Sequence, residues 1–426
     1  MRSLLQFRRA PAGLCLWALL LAAGGPPPPP PAGGLTEPAP AASTSPAVWP
    51  KPPFVAWVGV EATYVRLRAD AKSPAVGLLR RGDFVTVRSC EPSCADEKAW
   101  ALLSLDGEPG GAVRLSFLKL PPAPEDALVR SSAARFFYGR VRGSGTDVFA
   151  APEEGAPPAG HEEPHRVLSF RPWPGASAAI PEWLERSVGG FVPAGAVGIY
   201  EGSTFQGELD PAAPLAFVLA PTRVRFPKGS GKGPLDLARF ERFEVQGLGK
   251  DGRVRLEGGS VPRSRVRLAF RRPRPREIPG DAKWVHVDLS EQVLTAYEGD
   301  ALVYATLVSA GKDEEMRRTP EGLFRVWRKA MHETMQDTGS DPYYVEEVPW
   351  ILFFDGSLAL HGTFWHDSFG EPASHGCVNL SLGDADWLFG WAPPVLPLFW
   401  HSVMPDALGV PTLWVKIEKA PPGVWP

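Results

Sequence analysis

Cysteine is nearly absent from this chain: Cys15, Cys90, Cys94 and Cys377 are the only four in 426 residues. A four-cysteine zinc site needs two close pairs, and Cys90 with Cys94 supplies one. Charge of one sign is also missing. The chain has 45 Lys and Arg against 48 Asp and Glu, a net −3, with no long block of either. That leaves no electrostatic footprint for a nucleic-acid partner. Beyond the N-terminal stretch, no apolar run approaches the ~20 residues that span a bilayer. Proline and glycine are plentiful instead, at 48 and 44, and they gather in linkers. A chain of this length is long for one core, so roughly two to four domains are expected.

The first residues carry Arg2, Arg8 and Arg9, then an apolar run over 10–21 that exits through Ala22-Ala23-Gly24-Gly25. A charged start, a short apolar centre and a small-residue exit predict a cleaved signal peptide over 1–25. A membrane anchor is the competing reading, and the run is short for a span. Cys15 lies inside it with no lipobox before it. The mature protein is therefore expected to be exported and soluble, in a periplasm or cell envelope. In an oxidising compartment Cys90 and Cys94, within "CEPSC", can close a small loop if their Cα atoms lie within about 7 Å. Cys377 is then the unpaired thiol.

A Pro/Ala-rich tether over 26–53 begins with six prolines and is expected to be extended. Over 54–120, "YVRLRADAKSPAVGLLRRGDFVTVRSC" alternates with period two and is broken by a Ser-Pro turn and by Arg81-Gly82-Asp83. This predicts short strands. Their order resembles the bacterial SH3-like module, a small β-barrel that binds cell-wall peptides or simply packs beside a catalytic domain. The stretch 133–270 repeats that pattern weakly and is read as one or two further small β-domains. Two look-alike motifs occur there. "HEEPH", His161 to His165, has zinc-site spacing, but only a helix would put both histidines on one face, and Pro164 opposes a helix. "GSGKG" near Gly231 lacks the spacing of a phosphate loop. A linker over 271–281 leads to a last domain over 282–419.

That domain opens as a β-meander and carries a helical pattern after Cys377, where Ser381 can cap and Asp384 sits in the first turn. Cys377 lies in "ASHGCVNLS". A thiol becomes a nucleophile as the thiolate, which a neighbouring imidazole can generate and hold as an ion pair. His375, two residues upstream, His361, at the end of a predicted strand, and His366 between them are the candidates. Gly362 and Gly376 permit the close backbone approach that an oxyanion site built from N–H groups needs. A buried structural cysteine is the competing reading; an idle thiol in an exported chain is a liability.

"HGTFWHDSFGEPASHGCVNLS" resembles the signature of the L,D-transpeptidase catalytic domain of the YkuD type. "VDLSEQVLTAYEGDALVYATLVSAGK", the Thr-Pro-x-Gly turn of "TPEGLFRV" and "VPW" before the His-Gly strand are similar to further elements of that family. The resemblance implies a mainly β protein, with a sandwich or barrel-like catalytic domain and a short helix after the cysteine, preceded by the SH3-like barrels. It implies Cys377 as nucleophile and His361 as base, oriented by the Gly362 carbonyl. Ser374 and His375 would shape the loop, Gly376 and Cys377 N–H groups would face the oxyanion, and Asn379 would steady the turn. Trp350, Tyr343 and Tyr344 would wall the substrate groove. The implied partners are peptidoglycan stem peptides, with an envelope protein as a further possible acyl acceptor; no metal or organic cofactor is implied. The implied reaction is 3→3 cross-linking with release of D-alanine. Variants of it are anchoring of a protein to peptidoglycan and L,D-carboxypeptidase activity. A non-catalytic wall-binding protein is the alternative of a different class.

Overall fold

The computed structural model describes residues 48–420, apart from 106–107, 125–126, 128–134, 173–179, 213, 232, 315–316, 340–341 and 398. The signal-peptide reading over 1–25 and most of the tether fall outside the described residues. The chain is mainly β.

Two sheets face each other in the C-terminal domain. Lys283–Asp288 pairs antiparallel with Val293–Glu298, which pairs with Ala301–Leu307. The last strand, Trp414–Glu418, returns parallel to Lys283–Asp288, and Gly322–Arg325 adds outside it. The facing sheet consists of Arg328–Asp337, Tyr343–Asp355, Leu358–Gly362 and Val378–Leu380. Val285, Val287 and Leu294 from one sheet meet Leu352, Phe354, Leu360 and Val378 from the other in one buried cluster. Burying each is worth roughly 1.5–3 kcal/mol, so this interface is what holds the sandwich closed.

The Leu382–Trp391 helix follows because Ser381 caps it, accepting from the Asp384 N–H at 3.1 Å. Its C-terminal carbonyls accept from Lys329, whose Nζ lies 2.8 Å from the Ala392 oxygen and 2.9 Å from that of Pro394. Asp384 is wholly buried and accepts from Tyr304 and Thr306 at 2.6 Å and from the Gly207 N–H at 2.7 Å. The helix is thereby fixed against the first sheet, just after the strand that follows Cys377.

Three small β-modules precede this domain. The first runs from Phe54–Val58 to Leu118–Lys119 around Val65, Leu79, Val87, Leu103 and Phe117. Cys90 and Cys94 are disulfide-bonded in it, with Cα atoms 5.0 Å apart. The second, over 137–199, packs around Val141, Leu168, Phe170 and Leu184. The third, over 215–269, packs around Val218, Val254 and Leu268. "HEEPH" falls on the Pro158–Glu162 strand and a turn at His165, where φ is +71°. No helix brings its histidines together; His161 instead bonds Asp147 at 2.8 Å.

The first two modules join the C-terminal domain by strand pairing. Ser402–Val403 pairs with Lys329 and Ala330 on one side and with Gly77 and Leu78 of the first module on the other. Val345 pairs in parallel with Val167 of the second module. Beside it, two consecutive glutamates reach in different directions. Glu346 is fully buried and takes Arg186 at 2.6 Å and the Ser169 N–H at 2.8 Å, both from the second module. Glu347 takes Arg80 of the first module at 2.9 Å and bonds His332. Burial raises the Glu347 carboxyl, but His332 and Arg80 together outweigh it and hold the group well below the usual carboxylate range. Glu347 has φ +50°, an interruption of regular strand geometry at the point where the two anchors diverge.

Candidate active site

Cys377 sits where a tight loop enters the Val378–Leu380 strand. Ser374 organises that loop: its Oγ donates to the Cys377 carbonyl at 2.5 Å and accepts the Gly376 N–H at 3.0 Å. Gly376 has φ +119°, a conformation that favours glycine, and a Cβ there would also press on the Leu358 side chain at 3.0 Å. Thr319 braces the loop from outside, donating to the Gly376 carbonyl at 2.9 Å and accepting from the Gly311 N–H at 2.8 Å. The Ala373 and Ser374 N–H groups both donate to the Ala310 carbonyl.

His361 lies on the neighbouring strand. Leu360 pairs with Val378 and His361 with Asn379, in parallel. Carrying that register back one residue sets Cys377 beside Ala359, whose backbone is in hydrogen-bond contact with it. Cys377 thus immediately precedes the strand that pairs with the His361 strand, two register positions from His361. The imidazole is 3% exposed, and its Nδ1 donates to the Gly362 carbonyl at 3.1 Å. That bond fixes the tautomer and leaves the Nε2 lone pair as a proton acceptor.

Electrostatics favour uncharged partners. Burial pushes the Cys377 thiol up to about 11, against the Ala359 backbone contact, which lowers it. Cys377 keeps part of its surface open, yet protein packs densely enough around it for burial to dominate. Burial pulls His361 down to about 4, opposed by its bond to Gly362. Both shifts favour a thiol and a neutral imidazole over the preformed ion pair expected from sequence.

Residues 282–402 match the family model of the L,D-transpeptidase catalytic domain, YkuD. The match covers the domain that holds His361 and Cys377 and not the modules before it. YciB of Bacillus subtilis (strain 168), provisionally named an L,D-transpeptidase, is 28% identical to this chain over 123 residues, covering 25% of this chain and 59% of its own. The Enterococcus faecium L,D-transpeptidase C442S mutant is 24% identical, covering 32% of this chain and 50% of its own at TM-score 0.26. The L,D-transpeptidase (residues 123-326) from Xylanimonas cellulosilytica DSM 15894 is 27% identical, covering 34% and 64% at TM-score 0.24. Scores that low add no weight to the family match. The chain spans about half to two-thirds of these proteins.

Within the transpeptidase domain the remaining expected residues separate. Tyr343 stays at the site: its ring lies 5.2 Å from that of His375, and burial followed by the nearby Cys377 raises it to about 12. Tyr344 does not wall the groove. It turns to the second module, where Arg166 lies 4.6 Å over its ring, because consecutive strand residues point to opposite faces. Trp350 packs against the sandwich core and behind Gly362, where an added Cβ would meet it at 3.2 Å. The Gly376 N–H is not free for an oxyanion, being bonded to Ser374. His366 is not a free base either: Nδ1 accepts from the Ser368 N–H at 3.1 Å, and Nε2 meets the Asn379 amide at 2.9 Å. Asn379 thus steadies His366 and the loop it sits on. Sequence reading missed Thr319, although its Thr-Pro-x-Gly turn was visible, and Trp365, whose ring lies parallel to His361 with centroids 5.9 Å apart.

Proposed function

We propose that this protein is a peptidoglycan L,D-transpeptidase acting through a thioester on Cys377. The observation that carries the reading is the His361 tautomer: its bond to Gly362 leaves Nε2 unprotonated on the strand paired with the one that Cys377 immediately precedes. The thiol attacks the carbonyl of the third residue of a tetrapeptide stem while His361 takes its proton. The Cys377 N–H, on a loop held by Ser374 and Thr319, supports the oxyanion. Collapse expels D-alanine, which recovers the proton from His361. An amine then resolves the thioester, and the side-chain amine of a second stem gives a 3→3 cross-link. We infer a cell-envelope location from the substrate that this chemistry requires.

The test is mass spectrometry of products from disaccharide-tetrapeptides, with wild type and a Cys377→Ala control. Dimers lacking one D-alanine, made by wild type alone, are expected. Tripeptide monomers would instead mean that water resolves the thioester, and dimers made by the control would end the reading.

The pH dependence of acylation follows from the neutral pair. His361, held near 4, stays a competent base down to that pH, and the thiol, near 11, stays protonated up to it. Transfer from thiol to imidazole during attack needs both neutral forms. The second-order rate of acylation by a carbapenem is expected to be level between about pH 5 and 10. A preformed ion pair would add a limb within that window, so a stopped-flow profile separates the two.

A further inference from the structure

Trp365 connects the active site to an open groove. Besides stacking on His361, it lines a groove of about 480 Å³, a size suited to a small ligand. The other walls include residues from outside the transpeptidase domain. Tyr200 and Glu201 come from the stretch after the second module, and Arg239 and Phe240 from the third; His366 lies on the catalytic side.

The charges in this groove do not balance. Arg239 is committed to Asp367, with Nη1 2.8 Å from the carboxylate, and its guanidinium lies 4.1 Å over the Phe240 ring. Glu201 is exposed and makes no hydrogen bond or ion pair among the described residues. One uncompensated carboxylate thus shares the groove with the rings of Tyr200, Phe240 and Trp365. Ring faces and a carboxylate together attract an organic cation and repel an anion.

We infer that this groove, built by the accessory modules, holds the acyl acceptor, and that Glu201 selects a primary amine by its ammonium form. The inference rests on the transpeptidase reading for its chemistry. The bound ammonium gives one proton to solvent. The amine nitrogen then forms the amide bond to the acyl carbon while the C–Sγ bond breaks. His361 takes the second amine proton and returns it to the sulfur, so thioester and amine become amide and thiol. Glu201 is a specificity residue: it touches the acceptor and not the donor stem.

Two measurements on the full chain test this. In the first, meso-diaminopimelate is titrated into the Cys377→Ala protein by calorimetry, with and without Glu201→Gln. Affinity is expected to weaken about tenfold with Glu201→Gln and to recover in part with Glu201→Asp. Equal affinities, or no binding by the parent protein, would overturn the groove assignment whatever the enzyme's activity. In the second, Cys377-bearing protein acylated by a tetrapeptide stem is given the same diamine, and the ratio of aminolysis to hydrolysis is measured. A tenfold fall in that ratio with Glu201→Gln supports the inference, and an unchanged ratio overturns it. Failure of the parent to acylate at all would instead refute the transpeptidase reading, and the titration alone would then decide the groove.

Discussion

Imipenem is expected to add one covalent adduct to the wild-type protein and none to Cys377→Ala. The thiol is the only free cysteine among the described residues. Its removal takes away the proposed nucleophile, and the other two cysteines among the described residues are joined in a disulfide. The loop should survive the change. Its bonds run between Ser374, Gly376, Thr319 and main-chain groups, while Cys377 is in hydrogen-bond contact with the Ala359 backbone. Intact-protein mass spectrometry gives the adduct count, and circular dichroism checks the fold. An adduct on Cys377→Ala, or a folded wild type that takes none, would remove Cys377 from the mechanism.

Glu346→Ala is expected to cost about 3–5 kcal/mol, as breaking a buried ion pair does. The carboxylate is fully buried and bonds Arg186, the Ser169 N–H and the Ser169 hydroxyl, at 2.6, 2.8 and 3.1 Å. Truncation leaves the buried Arg186 with Glu162 alone, 2.9 Å away, and orphans a strand N–H. The damage should be local to the join between the second module and the catalytic domain. Hydrogen exchange is expected to rise first over 167–170 and 343–348, and the thermal transition to fall by several degrees. An exchange pattern unchanged in those strands would mean that Glu346 does not hold the modules together.

Cys377 and His361, the proposed nucleophile and base, were legible as candidates from residue type and motif, and the structure brings their segments together at one strand pair. Ser374 and Asn379 were legible as loop residues, but their partners were not. Which acceptor the Gly376 N–H finds depends on the rotamer of Ser374, and no spacing rule encodes that. Tyr344 could have been set aside from sequence, since alternation along a strand allows only one of Tyr343 and Tyr344 to face the cysteine. Glu346 and Glu347 were illegible for a different reason. Their charged partners lie 160 and 267 residues earlier in the chain, beyond any local pattern. Glu201 was hidden in the same way, within a stretch that carries no motif.

The parallel return of Trp414–Glu418 to Lys283–Asp288 also ties the Cys377 loop to a distant part of the chain. Gly322–Arg325, directly after the Thr319 turn that braces Gly376, has Trp414–Glu418 as its strand partner. A change that loosens Trp414–Glu418 would therefore reach the Gly376 loop through that one pairing, without touching any residue of the loop itself.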